Sequence, residues 1–502
     1  MSVVFDIIPV FQSIFIVFPE LFCVISLIVL LIYGLLIPVV SNSGVIGANY
    51  SVCFSWLVLF SIIVFLGLSI SNLGFGNDMY LFGNEYFTND TLTVWKVLLG
   101  LCFVCVLVLS LEYQKYENLA IFEYPVLFLI AFIAMIFLVC ANSFISFYLA
   151  LEAQSLTLYI LAGFARKNEF STESAIKYFI LGVLASGILL LGITFVYMGC
   201  GTLNFVDLQV LFATPVFNNS LSELGIVFIT IALMFKLAAA PFHVWSPDVY
   251  EGAPIPSTIF FATVVKLTSI IISSRILFEV FADLEVWYPV VSVCAFLSFV
   301  FGAFGTLQQT KVKRFIAYSG ITNIGFFLLC FLCVPEIGLT SLLLYSIVYM
   351  LTTFGFLGVT ISMLESRGVT GSFKRLVYLA DFGLLLKKNI QLGSAAILFL
   401  FSMAGIPPVA GFFAKFYVLF GLLNSNGFFL AMFALLVSVL TSYYYIRIIK
   451  IIGFSINSPV NWKSFKTPSR EVSLLIGVCL LLICVYAIYP AVFLSLIDYA
   501  TI

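Results

Sequence analysis

Residues 226–245 read IVFITIALMFKLAAAPFHVW: an apolar helical run with one lysine, Lys236, in its middle and a proline, Pro241, just after it. About 20 apolar residues span a bilayer, so this stretch has the length of a membrane helix. It also breaks two rules for one. A cation at bilayer depth costs at least about 2.5–3.5 kcal/mol. A proline has no N–H, so the Leu237 carbonyl loses its helical partner. Backbone carbonyls without partners are tolerated at membrane depth only where protein or a wet cavity covers them. The stretch therefore predicts a discontinuous helix with its freed carbonyl turned to a polar interior.

The pattern recurs. In 401–420, FSMAGIPPVAGFFAKFYVLF, Pro407 and Pro408 free the carbonyls of Met403 and Ala404 ahead of Lys415. Lys266 lies within STIFFATVVKLTSIIIS (257–273), and Glu152 within LALEAQSLTLYIL (149–161). One acid can pair with one lysine, which leaves two amines without an intramembrane carboxylate. Burial disfavours the charged form of an amine, and a group poised between two protonation states suits a proton relay. Structural ion pairing is the plainer alternative. His243, the one histidine, can pass protons near neutral pH or serve as a hydrogen-bonded structural residue.

The rest of the chain fits a membrane protein. Hydrophobic residues make up 63% of 502 and charged residues 9%. Soluble domains carry about 25% charged residues, so water would not hold this chain. The net charge of −1 argues against a nucleic-acid partner. The fold class expected is all-α and polytopic, with about 14 spans: Pro19–Val39, Ala48–Ile70, Leu92–Leu111, Tyr124–Cys140, Asn142–Phe164, Ser174–Tyr197, Leu224–His243, Pro256–Phe278, Val286–Gly305, Val312–Leu332, Ile337–Leu364, Leu392–Leu422, Gly427–Ile451 and Val472–Leu494. Of 22 Lys+Arg, all but Lys96, Lys236, Lys266, Arg275 and Lys415 fall in or beside loops after odd-numbered spans. They include Arg166, Lys167, Lys311, Lys313, Arg314, Lys374, Arg375, Lys387, Lys388, Lys463, Lys466 and Arg470. The opposite loops carry acids such as Asp78, Glu85, Asp283 and Glu336. The positive-inside rule puts the basic loops in the matrix or cytoplasm and both termini outside.

Other features read plainly. The CxxC pairs Cys102/Cys105 and Cys330/Cys333 lie in apolar runs and read as packing residues. A single histidine cannot supply a bis-histidine haem, and no metal or cofactor site is expected. Asp6 and the absence of Lys or Arg before Lys96 give no charged leader. Glu20, following Pro19, is expected at a helix N-terminus without a proton role. Lys177 is expected to snorkel to the basic surface.

The stretches quoted above, together with FKLAAAPFHVWSPDVYEGAPIPST (235–258), FSTESAIKYFILGVLASGILLLG (170–192) and QTKVKRFIAYSGITNIGF (309–326), resemble the subunit 2 family of respiratory NADH:ubiquinone oxidoreductase (complex I). The resemblance runs from Pro19 to Ile451. It implies 14 helices with inverted five-helix repeats at helices 4–8 and 9–13, discontinuous helices 7 and 12, and a proton channel at the membrane midplane. The corresponding division is 1–123, 124–285, 286–452 and 453–502. It gives Glu152 the role of the helix-5 glutamate, Lys236 that of its helix-7 partner, Lys266 that of the connecting helix-8 lysine, and Lys415 that of the helix-12 residue near the exit. The second repeat has no obvious acid matching Glu152. Flavin, iron–sulfur clusters and quinone are implied in other subunits, and partners in the adjacent antiporter-like subunits and lipid. The rivals are a subunit of a stand-alone cation/proton antiporter, a purely structural scaffold and a chloroplast relative. The 56 phenylalanines, whose codons are T-rich, favour an organellar genome and hence the mitochondrial inner membrane over a bacterial plasma membrane.

Overall fold

A computed structural model describes residues 2–36, 44–74, 78–116, 121–214, 219–367, 372–375, 377–383, 385–454 and 468–490. Lys463, Lys466 and the expected span ends Val39 and Leu494 lie outside the described residues.

The chain is a helical bundle, and its order follows the hydropathy runs. First come α1 (Ser2–Leu36), α2 (Gly44–Ser71) and α3 (Asp90–Tyr116), with a hairpin of β1 (Met79–Leu81) and β2 (Tyr86–Thr88) before α3. Next are α4 (Glu123–Cys140), α5 (Phe144–Ala162), α6 (Glu169–Cys200), the short α7 (Phe205–Phe212) and α8 (Ser220–Leu237). Then follow α9 (Trp245–Gly252), α10 (Ile255–Ala262), α11 (Val264–Arg275), α12 (Tyr288–Leu307), α13 (Val312–Phe331) and α14 (Pro335–Ser362). A second hairpin, β3 (Leu364–Arg367) with β4 (Ser372–Arg375), leads to α15 (Leu385–Lys388), α16 (Ile390–Ala404), α17 (Ala410–Asn424), α18 (Phe428–Phe454) and α19 (Arg470–Ile488). Among the described residues, thirteen segments are long and apolar enough to cross a membrane. The half-length α16 and α17 together supply the twelfth of the fourteen spans, as the paired prolines led us to expect.

Local sequence sets the helix ends. Ser143 caps α5 by accepting the Ser146 N–H, and Asn168 caps α6; such side chains satisfy the orphan donors of a first turn. Gly201, at φ 76°, ends α6 in the left-handed conformation that glycine adopts without a Cβ clash. Arg275 is buried at the end of α11. Its Nη1 donates to the carbonyls of Val139 (2.8 Å) and Ala141 (2.7 Å) at the C-terminus of α4, where a cation meets the negative end of the helix dipole.

Two expectations need correction, for Glu20 and for span 8, and a third is met. Glu20 is not at a helix N-terminus: α1 begins at Ser2 and runs through Pro19. Span 7 is interrupted, as Pro241 led us to expect: α8 stops at Leu237 and the short α9 begins at Trp245. Span 8 is also broken, at Thr263 (φ −118°, ψ −82°), and ends in a π-helical turn, Ile276–Val280. No proline or glycine marks the Thr263 break. Its hydroxyl donates to the Ile259 carbonyl at 2.7 Å, and such back-bonding competes with the backbone ladder and bends helices.

Candidate functional site

The two proline-broken helices are built alike. α8 ends on Ala238 at φ 62°, and Pro241 follows; α16 ends on Gly405 at φ 79°, and Pro408 follows at the same remove. In both, a left-handed residue turns the chain so that its N–H returns to carbonyls of the last turn. At the second break the freed carbonyls are taken by the lysine. Lys415 reaches back from α17, 8% exposed, and its Nζ donates to Met403 O at 3.2 Å and Ala404 O at 2.9 Å. These are the carbonyls that Pro407 and Pro408 deprive of helical donors. At the first break the indole of Trp245 donates to Phe235 O at 3.1 Å. The proline sides of both loops turn outward, with Pro241, Val244, Pro407 and Pro408 exposed.

Lys236 occupies the last turn of α8. It is half-buried and lines a cavity of about 20 Å³ with Gln154 and Ser155 of α5, Tyr178 of α6 and Ser269 of α11. That volume holds about one water. Glu152 is the carboxylate within electrostatic reach of Lys236, yet no direct ion pair joins them among the described residues. Ser155 donates to Glu152 Oε2 at 3.3 Å, and Oε1 is buried without a partner. The acid and the amine thus lie within electrostatic reach without a direct bond.

Lys266 comes one turn before Ser269 and directly after the Thr263 break. It is 4% exposed. Its ammonium lies 5.7 Å from the centroid of the Tyr250 ring and against Gly320 of α13. Tyr349 of α14 donates to the Ala262 carbonyl at 3.1 Å, which satisfies a carbonyl next to the break. A second cavity, about 10 Å³, is lined by Ser319, Gly320, Asn323, Tyr349, Thr353 and Met403. Its lining also includes Phe315, Ile316, Phe356 and Leu357; Gly320 is the residue against which Lys266 packs, and the Met403 carbonyl accepts from Lys415.

His243 sits in the loop between α8 and α9, stacked on Phe301 with ring centroids 5.4 Å apart; its Nδ1 is buried without a partner. The structure does not bring it to the lysine row. Cys330 and Cys333 thiols donate to the carbonyls of Phe326 and Leu329, one turn back.

The sequence reading missed two charged groupings. Asp248 and Glu251 brace the half-helix α9 on the basic side. Asp248 accepts Lys177 at 2.9 Å and Arg314 at 3.0 Å; Glu251 pairs with Lys311 and Arg314. Lys313 donates to the carbonyls of Glu251 and Ala253 at the C-terminus of α9. The signal was present: SPDVYEG puts two acids among otherwise basic loops. The other grouping is Glu20 with Lys96, 2.8 Å apart and 2% and 3% exposed. Lys96 also donates to Tyr86 Oη at 3.0 Å and Thr88 Oγ1 at 3.4 Å.

A bundle of apolar spans, the seventh and twelfth broken at proline beside or opposite a lysine, defines an antiporter-like transport subunit. Residues 141–441 match the family described as "NADH:quinone oxidoreductase/Mrp antiporter, TM", and the chain belongs to that family. "NADH-ubiquinone oxidoreductase chain 2" of Marchantia polymorpha is 35% identical over 495 residues, covering 94% of this chain and 95% of that one. "NADH-quinone oxidoreductase subunit N" of Paramagnetospirillum magneticum is 37% identical over 443 residues, covering 86% and 88%. A chain of respiratory complex I from Thermus thermophilus has the same fold, with a TM-score of 0.77, 24% identity and coverage of 95% and 98%. A chain of the Mrp complex from Dietzia also shares it, with a TM-score of 0.75 and 17% identity.

Proposed function

We propose that this chain carries protons across the mitochondrial inner membrane as the subunit 2 member of a proton-pumping NADH:ubiquinone oxidoreductase. The observation that carries the reading is three amines within the spans, Lys236 half-buried and Lys266 and Lys415 buried, set near two small cavities. Lys236 lines the first cavity beside Ser155, which donates to Glu152; Ser269, one turn from Lys266, lines it too; the second cavity is lined by Gly320, against which Lys266 packs, and by Met403, whose carbonyl accepts from Lys415. Protons enter from the basic side at Glu152 and Lys236, pass laterally through Lys266, and leave at Lys415 toward the acidic side. Flavin, iron–sulfur clusters and quinone reside in other subunits, which act on this chain through packed contacts and buried charge. The two groups of helices, 124–285 and 286–452, serve as repeats about this row.

The outward proline loops support membrane partners. Lipid offers no hydrogen bonds to interrupted backbone, so neighbouring subunits cover Pro241 and Pro407. We expect the basic face in the matrix and both termini in the intermembrane space. An impermeant amine reagent added outside sealed mitoplasts should leave Lys387 unmodified; labelling of Lys387 from that side would reverse the orientation.

Lys266→Met tests the row at its middle. It removes the exchangeable proton and keeps the length of the side chain. The complex should assemble, while proton pumping coupled to NADH oxidation falls at least about tenfold, one step of about 1.4 kcal/mol. Full pumping in the assembled variant would take Lys266 out of the path.

A further inference from the structure

We propose that Gly320 is a positioning residue for proton transfer: its missing side chain leaves the seat that the Lys266 ammonium occupies, beside the cavity that Gly320 shares with Met403. The inference rests on the proton path through Lys266.

A Cβ built on Gly320 would lie 2.7 Å from Lys266 Nζ and 3.7 Å from the Tyr349 hydroxyl. The ammonium therefore fills the space a side chain would take. Gly320 also lines the cavity shared with Ser319, Asn323 and Met403, so only the bare backbone of α13 lies between the amine packed on it and that cavity. Any side chain here stands between the amine and the cavity.

The two halves of the chain show why a glycine sits here. Glu152 lies as far into α5 from Phe144 as Gly320 lies into α13 from Val312. Lys236 precedes Ala238 as Met403 precedes Gly405. By this register the second half carries Gly320 and Met403 where the first carries Glu152 and Lys236. Neither replacement can hold a proton. Each is instead approached by an amine from elsewhere: Lys266 packs on Gly320, and Lys415 donates to the Met403 carbonyl. The absent acid of the second half is thus a site occupied by a base from the first.

Gly320→Ala is a mild change for packing, because the atom nearest its Cβ is the tip of a flexible lysine. The variant should assemble, yet pump at least about tenfold fewer protons per unit time, with a shifted pH–rate profile. The titratable groups facing the ammonium are Tyr250 from α9 and Tyr349 from α14. Gly325→Ala serves as control: its Cβ would meet the Phe299 ring at 2.8 Å, so it disturbs α13 packing away from Lys266 and should leave the profile of the assembled enzyme unchanged. The decisive comparison places Gly320→Ala in a Lys266→Met background. If glycine acts through the amine, alanine adds no further loss there, and any assembly defect of the single variant is relieved. Wild-type pumping and pH profile in assembled Gly320→Ala would overturn the proposal, as would an assembly defect that persists with Lys266→Met. Unimpaired pumping in Lys266→Met alone would instead defeat the proton path.

Discussion

Lys415→Arg should give a complex that assembles normally and pumps at least about tenfold more slowly. Lys415 has two tasks that arginine separates. Its ammonium donates to Met403 O and Ala404 O at the broken end of α16, and hydrogen bonds from a charged donor contribute about 1.5–3 kcal/mol each. Its side chain passes over Gly405, whose Cβ position lies 2.9 Å from the lysine Cδ, a path an arginine stem can follow. Arginine therefore keeps donors at the carbonyls but cannot release a proton at any working pH. Lys415→Met removes both tasks. It leaves two carbonyls without donors, so assembly should fall together with pumping. Native gels would report assembly and vesicle acidification would report pumping. Equal pumping by Lys415→Arg and the native protein would confine Lys415 to a structural cap.

The second large effect falls outside the proton row. Lys96→Met should sharply lower the amount of assembled protein, and adding Glu20→Gln should restore most of it. Glu20 and Lys96 form a buried ion pair between α1 and α3, and the ammonium also binds Tyr86 and Thr88 of β2. Removing one member of a buried pair costs about 3–5 kcal/mol, because the other charge is stranded; removing both can be close to neutral. Thermal stability and steady-state level of the two variants give the comparison. A single variant as stable as the native protein would show that the pair contributes nothing to holding α1 against α3.

Much of this was legible in the sequence where one physical rule acts locally. Hydropathy located the spans, since each helix needs its own apolar length. Proline chemistry named Met403 and Ala404 as freed carbonyls, and Lys415 binds those two. What escaped depended on distance or on unmarked strain. Glu20 and Lys96 are far apart in the chain, and the less apolar start of α1 concealed that Pro19 is interior to a helix. The Thr263 break uses a side-chain hydrogen bond rather than a proline. The bracing of α9 by Asp248 and Glu251 needs three helices to meet. Gly320 carried no signal, because its role is the space it leaves for a residue on another helix.

The proton-to-electron stoichiometry of the intact complex in sealed vesicles, measured with Glu152→Gln and with Lys236→Ala, tests the central claim most directly. Both changes remove the switchable couple of Glu152 and Lys236, so both should depress pumping and coupled turnover alike in complexes that assemble. Lys236→Arg should fail to restore them, since a guanidinium stays charged. Assembled Glu152→Gln and Lys236→Ala complexes that oxidise NADH at the native rate with the native stoichiometry would contradict proton transfer through this chain's buried row.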